Sequence, residues 1–122
     1  MKRDLDLVRE LLLDIEKNAK GVRADWTFSG EEHDPSLVLY HVRLLFDAGF
    51  VEGQFIEDAE AYWVDRITWQ GHEFIDAVRD AGVWKKTKEA GLKVGGFGLE
   101  FAVGVAKSYV KQEIQSRLGI SL

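Results

Sequence analysis

Three histidines and a few carboxylate-rich stretches mark where this 122-residue sequence could do chemistry. Glu31, Glu32, His33 and Asp34 put one imidazole beside three carboxylates, the atom types a divalent cation takes. Four consecutive residues cannot all aim at one ion, and Asp34 is better used capping the helix that follows it. No metal or other cofactor is therefore expected. His41 falls on the apolar face of a helix beside Leu37 and Leu45, which suits a histidine held by a hydrogen bond in a packed core better than a base or a pH sensor. His72 points to the wetter side of its helix, near Glu73 and Asp76, and reads as solvated. Glu57, Asp58 and Glu60 lie on a turn without the apolar wall that would raise a carboxyl pKa for general acid work. Gly95-Gly96-Phe97-Gly98 precedes a helix but lacks the following Lys-Ser/Thr of a nucleotide-binding loop, so hinge or close-packing glycines are the better reading. Trp26, Trp63, Trp69 and Trp84 have the rings for base stacking, yet three of them flank strands or sit inside helices where core burial explains them. The chain reads as a non-enzyme.

The element that must position everything else runs from Asp34 to Gly53. Asp34 can accept hydrogen bonds from first-turn amides, and Pro35 sits where its missing N–H costs nothing. At 100° per residue Leu37, Val38, His41, Leu44, Leu45 and Ala48 form the core face, and Gly49 stops the helix. The opposite side, Leu39, Val42, Arg43, Phe46 and Asp47 with Tyr40 at its margin, is unusually apolar. Such a helix is covered on both sides, and the C-terminal segment or a second subunit is the expected cover. Residues 50–68 then form a hairpin, with its turn at Glu57 to Ala61.

Around this centre, Leu5, Val8, Leu11, Leu12, Ile15 and Ala19 recur at helical spacing from Asp4 to about Ala19. Arg23 to Ser29 is a short strand candidate, and Gly30 to Asp34 a turn or a single helical turn. Thr68 is a good N-cap for a helix from Trp69 to about Ala81 with Gly71, Phe74, Ile75 and Val78 buried. Gly82 breaks or bends it, and Val83 to Ala90 makes a further helical piece with Lys85, Lys86 and Lys88, ended by Gly91. A last helix spans Leu99 to Leu118, closed by Gly119. Its Gly98, Ala102 and Ala106 are four apart, a small-residue ridge that lets helices approach closely.

The predicted fold class is α+β, mostly helical: a winged helix-turn-helix-like domain over residues 1–82 with a β-hairpin wing, then a C-terminal helical extension over 83–122 that packs on it or on a partner subunit. Cysteine is absent, which removes disulfides and thiolate chemistry. The first residues alternate charge with leucine and form no signal peptide, and the run from Val94 to Ala106 is too short to span a bilayer of about 30 Å. A cytoplasmic location without membrane contact is the expectation. The net charge of −5 is divided: residues 1–80 hold nine Lys/Arg against eighteen Asp/Glu, whereas residues 81–122 hold seven against three. An acidic body opposes strong phosphate binding and suits attraction to the basic tail, within or between subunits.

The opening Met-Lys-Arg-Asp-Leu-Asp-Leu-Val-Arg, the Tyr40-His41-Val42-Arg43-Leu44-Leu45 run with Ala48-Gly49, and Thr68-Trp69-Gln70-Gly71-His72-Glu73-Phe74 with Ala77-Val78-Arg79-Asp80 and Val83-Trp84 carry a resemblance. Over about the first ninety residues the chain resembles an uncharacterised family of bacterial and phage proteins catalogued as a domain of unknown function. The resemblance implies a winged-helix-like fold and an occurrence in bacteria, prophages and mobile elements, and it implies no activity. Two functions fit. In a DNA-binding transcriptional regulator, Ser36, Leu39, Tyr40 and Arg43 enter the major groove of duplex DNA and Arg66 serves from the wing. In a protein–protein interaction module, Leu39, Val42 and Phe46 bind a protein partner. In either, Gly98, Ala102 and Ala106 of the last helix are the expected homodimer contact.

Overall fold

A computed structural model describes residues 1–19, 26, 28, 30, 32–93 and 98–119. Asp4 starts the first helix, α1 (Leu5–Asn18), by accepting the Asp6 and Leu7 amides at 2.9 and 3.4 Å. The apolar repeat buries Leu7, Val8, Leu11, Leu12 and Ile15 on one side. Between α1 and the next helix the described residues hold no helix, and His33 N–H closes a turn on the Gly30 carbonyl at 3.2 Å. The strand candidate at Arg23 to Ser29 lies mostly outside the described residues, and its Trp26 and Phe28 are not in a strand.

Helix α2 (Pro35–Asp47) begins as its sequence requires, with the Asp34 carboxylate on the Ser36 amide at 2.9 Å. It ends where Gly49 adopts φ +71°, while Gly49 and Phe50 N–H return to the carbonyls of Phe46 and Leu45. Strands β1 (Val51–Ile56) and β2 (Ala61–Ile67) pair antiparallel around a short 3-10 turn at Glu57–Ala59, with a register irregularity at Glu52/Gly53. Both α1 and β1 pack on α2. This changes the expected cover of the apolar helix. Val38, His41, Val42 and Leu45 are all buried, so Val42 belongs to the core, not to an outer binding face, and it is α1 and the hairpin that sheathe the rod.

Helix α3 (Trp69–Val78) is clasped to this centre by one residue. Thr68 donates its amide to the Phe50 carbonyl at 2.9 Å and its hydroxyl to the Gly49 carbonyl at 2.5 Å, and the same hydroxyl accepts the Gly71 amide at 3.2 Å. The cap thus joins the end of α2 to the start of α3. Thr68→Val, which keeps the shape and removes the hydroxyl, is expected to cost about 1 kcal/mol, measured by urea denaturation. Gly71, Phe74, Ile75 and Val78 are buried as their spacing predicts.

The expected helix to Ala81 stops earlier, at Val78, because Asp80 caps a new one. Its carboxylate accepts the Val83 amide and its carbonyl the Trp84 amide, both at 2.9 Å. Gly82 therefore lies in the first turn of α4 (Ala81–Lys93) and is not the break, and Gly91 is buried inside α4, not at its end. Helix α5 (Leu99–Leu118) packs on α4 and closes at Gly119 as predicted. The chain forms two compact units, Met1–Ile75 and Asp76–Leu122, where the sequence places a division at 82/83. Its class is α+β and mostly helical, with five helices and one two-stranded antiparallel hairpin among the described residues. No helix among them is long and apolar enough to cross a membrane.

Candidate functional site

A row of aromatic rings runs along the tip of the hairpin. Phe55 and Tyr62 are register partners, and their rings stack at 6.2 Å with planes 2° apart. Phe46, from the last turn of α2, meets Phe55 edge-on at 6.0 Å, and Trp26 tilts against Tyr62 at 6.0 Å. Trp26 is buried and anchored by its indole N–H on Asp14 at 2.6 Å, whereas Phe46, Phe55 and Tyr62 are half-buried. Burial pushes the Tyr62 phenol pKa up, so the hydroxyl stays neutral.

One cation stands over this row. The Arg43 guanidinium lies 5.4 Å from the Phe55 ring centre, forms an ion pair with Glu57 and approaches Asp47 at 3.6 Å. Asp58 and Glu60, also exposed at the tip, have no cationic partner among the described residues. The tip and the end of α2 thus present Asp47, Glu57, Asp58 and Glu60 against Arg43 alone. Exposed pairs of this kind add at most about 1 kcal/mol to stability. Their larger effect is on recognition, because a paired arginine must lose its carboxylates before it can grip a phosphate.

The other candidates fall as follows. Ser36, Tyr40 and Arg43 share a stripe of α2 with Asp47; Ser36 is exposed, while Tyr40 is half-buried with its ring edge-on to His41. Leu39 is half-buried on the adjoining stripe with Phe46. Arg66 pairs with Glu52, its register partner, at 2.7 Å, one position from the base of the hairpin, whereas Arg43 stands by Phe55 and Glu57 at its tip. The structure therefore does not bring Arg66 to Arg43. Ala102 and Ala106 are fully buried within the chain and only Gly98 of the ridge is exposed, so in this fold the ridge is interior packing, not an open dimer face.

His41 is the core histidine its position predicts, fully buried, with Nε2 accepting the Asp4 amide at 2.8 Å and Nδ1 donating to the Leu37 carbonyl at 2.9 Å. His72 is exposed, 3.9 Å from Glu16. The acidic loop contains a partner the sequence reading missed: His33 Nε2 lies 3.0 Å from Glu10 of α1 and 3.8 Å from Glu32. These donor types suit a cation, yet the Glu10–His33 hydrogen bond already accounts for the imidazole. Of the tryptophans, Trp84 is buried like Trp26, Trp63 is half-buried, and Trp69 is the one that stands out in solvent, 77% exposed. The Gly95-Gly96-Phe97 loop lies outside the described residues.

Residues 2–97 match the family described as "Hypothetical protein (DUF2513)". An "Uncharacterized protein" of Haemophilus influenzae is 38% identical over 92 residues, which cover 72% of this chain and 76% of that protein. No solved structure matches the chain.

Proposed function

The chain belongs to the family described as "Hypothetical protein (DUF2513)", and we propose that it acts as a winged-helix-like protein-interaction module without chemistry of its own, taking a cationic segment of a protein at the hairpin tip. The observation that carries this reading is the charge balance at the tip, where Arg43 is held by Glu57 and Asp47 while Asp58 and Glu60 stay unmatched. The half-buried rings of Phe46, Phe55 and Tyr62 add apolar and cation–π surface beside those carboxylates. A helix followed by a hairpin is the part of a winged helix the described residues offer, and likeness of fold is analogy for function. Binding of duplex DNA through α2 finds less support, because the two arginines it needs are each held by a carboxylate, Arg43 at the tip of the hairpin and Arg66 near its base.

The test compares a fluorescent Lys/Arg-rich peptide with random duplex DNA at low salt. The peptide is expected to bind and to lose about fivefold in affinity with Asp58→Asn/Glu60→Gln, while the equal charge change Asp76→Asn/Glu89→Gln leaves it unaltered. Tight duplex binding that Arg43→Ala abolishes would overturn the proposal in favour of a regulator.

A further inference from the structure

We infer that the cationic segment taken at the hairpin tip is the C-terminal half of α5 from a second copy of this chain, a step that rests on the module reading above. Lys111, Ile114 and Leu118 stand three and seven residues apart and so share one stripe of α5. Among the described residues they are uncovered: Ile114 is 38% and Leu118 64% exposed, and Lys111 is exposed without a carboxylate partner. This stripe lies on the side of the helix away from Ala102 and Ala106, the residues α5 buries within its own chain.

The two surfaces match in charge, chemistry and length. The tip offers unmatched carboxylates, Asp58 and Glu60, around half-buried rings; the stripe offers an unmatched ammonium beside two aliphatic side chains. Lys111 to Leu118 covers about 10 Å of helix, and the row Phe46–Phe55–Tyr62 advances by ring steps of 6.0 and 6.2 Å. The same complementarity holds for the whole sequence, with a balance of −9 over residues 1–80 and +4 over residues 81–122. Each copy carries both surfaces, and a twofold dimer with two reciprocal contacts is the assembly that leaves neither of them exposed.

Sedimentation of the full chain over a concentration series tests this. A monomer–dimer equilibrium is expected at low salt, weakening by about tenfold between about 0.05 M and about 0.5 M salt as the pairs are screened. Lys111→Glu and Asp58→Lys/Glu60→Lys should each weaken dimerisation by about tenfold, and mixing the two variants should restore both contacts in a heterodimer, one native and one with its charges exchanged. Leu118→Asp should also weaken it, and circular dichroism checks that these exposed substitutions leave the fold intact. A chain that stays monomeric at low salt, or one whose association ignores all these variants, overturns the inference. If the Lys/Arg-rich peptide still binds the tip in that case, the module reading stands and only the identity of the occupant falls; if the peptide also fails, both fall.

Discussion

Gly71→Ala is expected to destabilise the fold by about 3 kcal/mol and lower the thermal midpoint by on the order of 10 °C. Helix propensity alone predicts the opposite, since alanine gains about 1 kcal/mol over glycine inside a helix. Packing decides the sign. A Cβ at Gly71 would run into the Phe50 carbonyl oxygen and come within 2.5 Å of Ile67 Cγ2. Phe50 has little freedom to yield, because its carbonyl accepts the Thr68 amide at 2.9 Å and its ring stacks on Phe74 at 5.5 Å. The glycine is what lets α3 start against the exit from α2. Gly104→Ala serves as the contrast: that residue is exposed within α5 and a Cβ there meets nothing within 4 Å, so the same substitution should stabilise by up to about 1 kcal/mol. Thermal unfolding of both variants checks the pair, and a raised midpoint for Gly71→Ala would contradict the close approach of Phe50 to α3.

This junction also shows what local sequence encodes. Asp34-Pro35, Gly49 and Thr68 each act within a few residues of their own position, through a side chain on a nearby amide or a backbone angle that glycine adopts easily, and α2, the hairpin and the start of α3 follow from them. The break between α3 and α4 was harder to place, because two local signals compete there. Asp80 as an N-cap and Gly82 as a breaker stand two residues apart, and the cap wins by satisfying the Val83 amide, which makes Gly82 an ordinary first-turn residue. Helical spacing likewise finds most of the buried side of α1, and on α2 it finds Val38, His41 and Leu45, but it misses Val42 and includes Ala48, which is exposed. A wheel assumes one wet side, and with both α1 and β1 packed on α2 the side that carries Val42 is buried too.

The candidate site was less legible still, since its character comes from pairings across the chain. An acidic turn at Glu57 to Glu60 is visible in the sequence, as is an arginine at position 43. Their ion pair depends on how the hairpin folds over the end of α2, and the aromatic row depends on the register that sets Phe55 opposite Tyr62. Glu10 and His33 are a similar case, 23 residues apart with no shared motif. The signal that was available is electrostatic: carboxylates crowd the hairpin turn while cations collect after residue 80, and that asymmetry is what both proposals use.

His41→Leu should cost about 2 kcal/mol, although leucine fits an apolar core better on transfer grounds alone. The imidazole is fully buried and uses both nitrogens: the Asp4 amide can only donate, so Nε2 accepts and the ring proton sits on Nδ1, facing the Leu37 carbonyl. Leucine is close in volume and leaves little cavity, so the penalty is the two orphaned backbone partners, at about 1 kcal/mol or more each. The Asp4 bond spans 37 residues and reaches the residue that caps α1, so its loss should be felt there first. Amide hydrogen exchange gives the decisive readout: His41→Leu should speed exchange in the first turn of α1 more than in the hairpin, while His41→Gln, which keeps a polar amide in the core, should recover part of the stability. Equal stability for His41→Leu and the parent would mean that burial of the ring, and not its hydrogen bonding, is what joins α2 to the start of α1.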